Sequence, residues 1–139
     1  MMRIALDSSA LAKRYVREPG TPRVLELCAQ ATEVVVSILC VPEILSGLNR
    51  LRREKRLSSD GYLQAKKDLA DDLAQATIVS VTPAVLSRTI ELLEKAALRT
   101  LDAIHIAVAT DSACDLFVSA DVRQCEAADV LGLKIERIG

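Results

Sequence analysis

Short apolar runs of strand length recur along the chain and alternate with segments of helical periodicity. These runs span residues 4–6, 34–38, 78–81, 116–118 and 133–138. Most are apolar on both faces, which is typical of strands in a parallel sheet that is covered on both sides. Strands that alternate with helices predict an α/β fold with right-handed crossovers. We therefore expect a three-layer α/β/α sandwich with a central parallel sheet of four to five strands.

The segments between the runs carry the start and stop signals of helices. Thr21-Pro22 and Thr82-Pro83 each place a capping hydroxyl beside a proline, and Gly132 is a typical helix end. In the helix after Pro83, apolar spacing predicts that the core-facing residues are Leu86, Ile90, Leu93 and Ala97. Thr100 is predicted to cap a strongly apolar helix over residues 101–109, which we expect in the middle of the fold.

The length of 139 residues suits one domain, residues 1–139, with a single core. No apolar stretch approaches the roughly 20 residues that cross a bilayer, and the start does not resemble a signal peptide. We therefore expect a cytoplasmic protein without a membrane partner. The four cysteines lack the spacing of a zinc site and are expected to be reduced, mostly buried thiols; they are Cys28, Cys40, Cys114 and Cys125.

The charge balance excludes a general polyanion-binding protein, because 18 basic and 19 acidic residues leave a net charge of −1. One dense basic cluster stands out and is either a solvated helix end or a phosphate-contacting face; it consists of Arg50, Arg52, Arg53, Lys55 and Arg56. With two tyrosines and one phenylalanine, the chain offers no platform for stacking single-stranded bases.

Acidic residues follow three of the predicted strands. Asp7, Glu43 and Asp121 come within a few residues of the strand ends, and Asp102 lies in the first turn of the apolar helix. Each alone is explained by helix capping or by the helix dipole. Parallel strands, however, bring their carboxyl ends to one edge, where four carboxylates would repel one another unless a cation bound among them.

Oxygen ligands without thiolates or several imidazoles suit Mg²⁺ or Mn²⁺. Such ions activate water and stabilise in-line attack at phosphorus. The acidic residues therefore favour cleavage of phosphodiester bonds.

The motifs that contain these acids resemble those of PIN-domain ribonucleases, and among them the VapC-type toxins of prokaryotic toxin–antitoxin pairs. The resemblance spans nearly the whole chain, with the motifs in order. They are Leu6-Asp7-Ser8-Ser9-Ala10-Leu11, Pro42-Glu43-Ile44 with Leu48 and Arg50, Leu101-Asp102-Ala103-Ile104-His105-Ile106-Ala107, and Phe117-Val118-Ser119-Ala120-Asp121 with Ala127-Ala128 and Leu131-Gly132-Leu133.

The resemblance implies an acidic quartet that holds one or two Mg²⁺ or Mn²⁺ ions for endonucleolytic cleavage of RNA; its members are Asp7, Glu43, Asp102 and Asp121. Ser9 and Ser119 resemble hydroxyls at the site edge that orient the carboxylates or a water. Many relatives carry a further acid two or three residues after the last one, where this chain has Arg123 and Gln124. Binding of a single ion without substrate is therefore the expectation.

Other polar residues near the motifs have two interpretations each. His105 lies on the same helix face as Asp102 and is either a buried histidine bonded to a neighbour or a ligand or proton shuttle. Arg50, Lys13 and Arg14 are either solvated side chains or contacts to a substrate phosphate or an antitoxin carboxylate. The resemblance also implies an antitoxin partner and a homodimer.

Other functions compete with the toxin hypothesis. An aspartyl-phosphate phosphatase or phosphotransferase needs a second Asp two residues after Asp7, where Ser9 stands. A receiver-type domain needs a paired acid near the first strand and a lysine after a late strand, and neither is clear. A stand-alone nuclease and a non-catalytic protein with the same fold are the remaining alternatives. Four convergent charges argue against the non-catalytic protein, because they have little use without catalysis.

Overall fold

The computed structural model describes residues 2–139 and contains one sheet of five parallel strands. The strands are β1 (Arg3–Leu6), β2 (Glu33–Ser37), β3 (Thr77–Val79), β4 (Leu116–Ser119) and β5 (Ile135–Arg137). Their order across the sheet is β3-β2-β1-β4-β5, so the first strand is central. This arrangement confirms the predicted α/β class with a parallel central sheet.

Seven α-helices within the described residues connect or cover the strands. They are α1 (Ser8–Leu11), which continues into a 3-10 turn (Ala12–Arg14), α2 (Thr21–Gln30), α3 (Cys40–Arg53), α4 (Ser59–Gln75), α5 (Pro83–Lys95), α6 (Thr100–Asp111) and α7 (Val122–Val130). Gly132 follows α7 with a φ of +89°, a conformation that glycine adopts without strain. The predicted glycine stop therefore lies where the sequence pattern indicated.

The register of the central strands places two loops side by side. Leu6 of β1 pairs with Val36 of β2 on one side and with Val118 of β4 on the other. The N–H of Asp7 continues the ladder by donating to the carbonyl of Val118 at 3.2 Å. The residues that follow β1 and β4 therefore meet at the carboxyl edge of the sheet, the usual ligand-binding edge of parallel sheets.

The core has two parts, one on each face of the sheet. One part joins β1, β2 and β4 to helices α1 to α4, and the other joins the sheet to α5, α6 and α7. Every residue of α6 from Ala103 to Ala109 is buried. This helix contacts β1, β2 and β4 as well as α5, so the apolar helix lies in the middle of the fold, as its composition predicts.

The inward face of α5 differs from the prediction. Val85, Thr89 and Leu92 are buried, whereas Leu86 and Ile90 are 48% and 57% exposed. The two stripes differ by one residue, which is a rotation of about 100° around the helix axis. Both stripes are largely apolar, so hydrophobic spacing alone did not distinguish the one that packs against α6.

Smaller differences concern helix starts. The segment that follows Asp7 is the short α1 followed by a 3-10 turn rather than one regular helix. Thr100 is the first residue of α6 rather than its cap, and Arg99 before it makes no side-chain capping bond. No helix formed by residues 2–139 combines the length and apolarity that a membrane crossing requires.

Candidate active site

Asp7 is the most deeply buried acid of the sheet edge, with 2% of its surface exposed. Its Oδ1 accepts hydrogen bonds from Ser9 Oγ at 2.7 Å and from the Ala10 N–H at 2.9 Å, so it also caps α1. Its Oδ2 accepts one from Ser119 Oγ at 2.5 Å. Burial raises the pKa of the Asp7 carboxyl, although these hydrogen bonds oppose the shift.

The two serines link the loop after β1 to the loop after β4. Ser119 Oγ accepts a hydrogen bond from the Asp121 N–H at 3.0 Å, and Ser9 Oγ accepts one from the Ala120 N–H at 2.9 Å. Each hydroxyl therefore donates to Asp7 and accepts from a backbone N–H of the loop after β4. This network fixes the position of Asp7 relative to the start of α7.

Asp102 lies close enough to both Asp121 and Asp7 for their charges to interact. Burial raises the pKa of the Asp102 carboxyl, and the negative charges of Asp121 and Asp7 raise it further. Asp121 caps α7, because its Oδ1 accepts from the N–H groups of Arg123 and Gln124. Across residues 2–139, no lysine or arginine forms an ion pair with any of these three carboxylates.

Glu43 reaches the same edge from the first turn of α3. Its Oε1 accepts from Ser8 Oγ at 2.7 Å and lies 2.6 Å from Nε2 of His105. Burial alone would raise the pKa of the Glu43 carboxyl, but the hydrogen bonds from His105 and Ser8 outweigh it, and the pKa is lowered. Glu43 is therefore ionised at neutral pH.

Gln124 joins the first turns of α6 and α7. Its side chain is 2% exposed, and its Nε2 donates to the carbonyl oxygen of Asp102 at 2.9 Å. One of the two positions where the resemblance implies a further acid is therefore occupied by a buried amide that supports the backbone of Asp102.

A groove of about 480 Å³ extends from the acidic edge between α1, α3 and the segment after α3. Its lining includes Ser8, Ser9 and Glu43 as well as Arg50 and Arg56. Both arginines are exposed. The basic cluster therefore contributes two cations to a groove that opens from the acids.

Lys13 and Arg14 do not line this groove. Lys13 is buried and pairs with Glu18 at 3.4 Å. Arg14 forms two bonds to Asp72, at 2.8 and 3.1 Å, beside a separate cavity of about 400 Å³ between α2 and α4. Their contact with a substrate or an antitoxin stays a prediction.

The acidic residues suit a hard cation by their chemistry but are not preassembled around one. Within residues 2–139, histidine, cysteine, aspartate and glutamate side chains form no group of three or more that is arranged to hold a metal ion. Asp7, Glu43 and Asp121 instead point at hydrogen-bond donors. Yet the donor atoms are all carboxylate oxygens, and the mutual repulsion that raises the pKa of Asp102 is what a divalent cation would relieve.

Two residues of the site have roles that the sequence did not indicate. Ser8 stands in the first motif without a predicted role, but it binds Glu43. Gln124 was noted only because it stands where a further acid is expected, but it is a buried residue that supports α6. The signal for Ser8 was its place next to Asp7, whereas nothing in the sequence pairs residue 124 with residue 102.

The chain matches a protein-family model described as the PIN domain over residues 4–130. No curated protein matches it closely enough to count as a relative.

Solved structures with this fold include toxin proteins. VapC20 of Mycobacterium tuberculosis, a sarcin-ricin loop cleaving toxin, is 19% identical to this chain and has a TM-score of 0.71. The aligned region covers 96% of this chain and 98% of the VapC20 chain. VapBC2 of Rickettsia felis, bound to a DNA fragment from their promoter, is 15% identical with a TM-score of 0.72 and covers 98% of each chain. PAE2754 of Pyrobaculum aerophilum is 18% identical to this chain and has a TM-score of 0.68. The aligned region covers 96% of this chain and 83% of the PAE2754 chain. At these identities the likeness establishes the shared fold.

Proposed function

This chain belongs to the PIN domain family, and from that premise we propose that it is a metal-dependent endoribonuclease, the toxin of a toxin–antitoxin pair. One observation carries the nuclease proposal. Asp7, Asp102 and Asp121 come from three separate elements, interact through their charges, and have no basic ion-pair partner in the described chain. Unbalanced carboxylates at a ligand-binding edge favour a cation and a phosphate substrate.

The proposed cation is one Mg²⁺ or Mn²⁺ ion. Asp7, Glu43, Asp102 and Asp121 would hold it, and the amide at Gln124 argues against a second protein-bound ion. When bound, such an ion lowers the pKa of water and stabilises the negative charge that develops on the phosphate.

The protein's own residues orient the reacting groups. Ser9 and Ser119 fix both oxygens of Asp7, so this carboxylate cannot turn away from the site without losing buried hydrogen bonds. Glu43 is kept ionised by His105 and Ser8, as either a ligand or a proton acceptor requires. Arg50 and Arg56 are proposed to contact RNA phosphates along the groove.

The toxin assignment is supported by the solved relatives, because one is described as a toxin that cleaves the sarcin-ricin loop and another as a VapBC complex. We propose two protein partners for this chain, an antitoxin and a second copy of itself. Copurification with the product of an adjacent small gene, loss of cleavage in that complex, and a dimer mass by light scattering are the expected results. Absence of such a gene product with cleavage retained would instead support a stand-alone nuclease.

The nuclease proposal is tested with purified protein, structured and single-stranded RNA, and Mg²⁺ or Mn²⁺. Wild type is expected to produce internal cuts that excess chelator abolishes, whereas Asp7→Asn purified identically produces none. The variant should fold, because an asparagine oxygen can still accept from Ser9 and Ala10 while the Ser119 hydroxyl turns to accept. Equal cleavage by the variant, or full cleavage with chelator, would overturn the proposal.

A further inference from the structure

His105 is the only histidine of the chain and is 4% exposed. It projects from α6 towards Glu43 and Ser8, with Nε2 at 2.6 Å from Glu43 Oε1 and 3.3 Å from Ser8 Oγ. Its other ring nitrogen, Nδ1, is buried and has no hydrogen-bond partner among the described residues. A buried ring with one short bond and one orphaned nitrogen calls for an explanation.

The direction of the short bond follows from its acceptor. Glu43 Oε1 already accepts a hydrogen bond from the Ser8 hydroxyl, so Nε2 of His105 is the donor in the short contact. Nδ1 is buried without a hydrogen-bond partner, so it contributes nothing to holding Glu43. The ring therefore holds Glu43 through its Nε2–H alone.

The two oxygens of Glu43 differ in their hydrogen bonds. Oε1 accepts from both Ser8 and His105. Oε2 accepts no hydrogen bond from residues 2–139, although the side chain is partly exposed at the groove. The carboxylate is thus held by one oxygen with the other left available.

We propose that His105 is a positioning residue of the active site, which holds Glu43 through its Nε2–H so that Oε2 faces the cation or the attacked phosphate. This inference rests on the proposed nuclease function. Because the ring is buried behind Glu43, His105 does not contact RNA itself. Its loss should therefore act on turnover rather than on binding of the substrate.

Three substitutions separate this role from simple packing. His105→Leu fills similar space without a donor, His105→Gln places an amide N–H near the position of Nε2, and His105→Asn places it near Nδ1. We expect His105→Leu and His105→Asn to lower kcat about 10- to 100-fold with KM for RNA unchanged, and His105→Gln to recover most of the loss. Thr110→Val, which alters a hydroxyl elsewhere on α6 that bonds only the carbonyl of Ile106, is the matched control and should keep wild-type activity.

Titration of Mn²⁺ gives a second measurement that does not depend on cleavage. His105→Leu should weaken Mn²⁺ binding while His105→Gln restores it, since the proposed ligand oxygen is on Glu43. In a double-mutant cycle, His105→Leu added to Glu43→Ala should cost nothing further. Equal losses in all three His105 variants, or additive losses in the cycle, would overturn the proposal and indicate a packing role.

The wild-type protein offers a test that needs no variant to fold. Because the chain has one histidine, the ¹⁵N spectrum of its imidazole is unambiguous, and we expect the proton to be on Nε2, the nitrogen that contacts Glu43. A ring without a proton on Nε2 would overturn the positioning role even if RNA is cleaved. Failure of wild type to cleave RNA, with the expected spectrum, would overturn the nuclease function but leave the Glu43–His105 bond established.

Discussion

Ser119 shows how a single hydroxyl can hold a buried charge. It donates to Asp7 and accepts from the N–H of Asp121, although it lies 112 positions from Asp7 in the sequence. Because Asp7 is buried, each hydrogen bond to its carboxylate offsets part of the cost of removing the charge from water.

Ser119→Ala should destabilise the fold by about 1–3 kcal/mol, because a buried carboxylate oxygen and a backbone N–H each lose a partner. Urea unfolding measures this change, and RNA cleavage should fall with it. Ser87→Ala, at an exposed position of α5, is the control and should match wild type. An unchanged unfolding midpoint for Ser119→Ala would contradict the importance of this bond.

Cys114 tests burial at a residue remote from the active site. Burial raises the pKa of its thiol to about 11, so the folded protein holds the proton at pH values where the unfolded chain has released it. Iodoacetamide should therefore label Cys114 far more slowly in the folded protein than in urea at pH 8 to 9, as measured by mass spectrometry. By the same linkage, its contribution to stability is lost as pH rises from about 8.5 towards 11. Equal labelling rates in both states would contradict the shift.

At the scale of elements, the end of α3 and the turn after it supply the cations of the groove. Arg50 and Arg56 line it. Arg52 instead donates a hydrogen bond to Asn49, and its guanidinium carbon lies 4.4 Å from the ring centre of Tyr62. Arg53 is exposed but does not line the groove. The members of the basic cluster look alike in the sequence, but in the structure they have different surroundings.

Replacing Arg50 and Arg56 together by Gln should weaken RNA binding and flatten its salt dependence. On single-stranded RNA each phosphate contact contributes about 0.7 to the slope of log K against log salt, so the slope should fall by about 1.4. Binding is measured in the Asp7→Asn background to prevent cleavage. Arg53→Gln should leave the slope unchanged, and an equal effect of Arg53→Gln would indicate a general charge effect instead.

The elements themselves were largely predictable because their signals are local. Pro83 and the β-branched run before Ser37 mark a helix start and a strand without reference to the rest of the chain. The buried face of α5 was not predictable, since the choice between Val85 and Leu86 depends on where α6 lies. The Ser8–Glu43–His105 cluster was missed for the same reason, because its members come from three elements and meet only after folding.

At the scale of the whole molecule, the net charge of −1 hides a local excess of negative charge at the carboxyl edge of the sheet. The sequence predicts that the acidic motifs meet at this edge, because the alternation of strands and helices indicates a parallel sheet. The orientation of the carboxylates was not visible, since it depends on donors such as Ser119 and His105. Repulsion between these carboxylates should lower the free energy of unfolding, as is common where residues are retained for function.

Asp102→Asn tests that trade-off directly. The substitution removes a partly buried charge whose ionisation is disfavoured by burial and by Asp121 and Asp7, so it should raise the melting temperature in metal-free buffer. It should also abolish RNA cleavage, because the proposed cation loses a ligand. Asp129→Asn, at an exposed position of α7, should change neither property. A lower melting temperature for Asp102→Asn would show that the acidic edge is stabilised without a cation, and it would weaken the case for a metal-dependent nuclease.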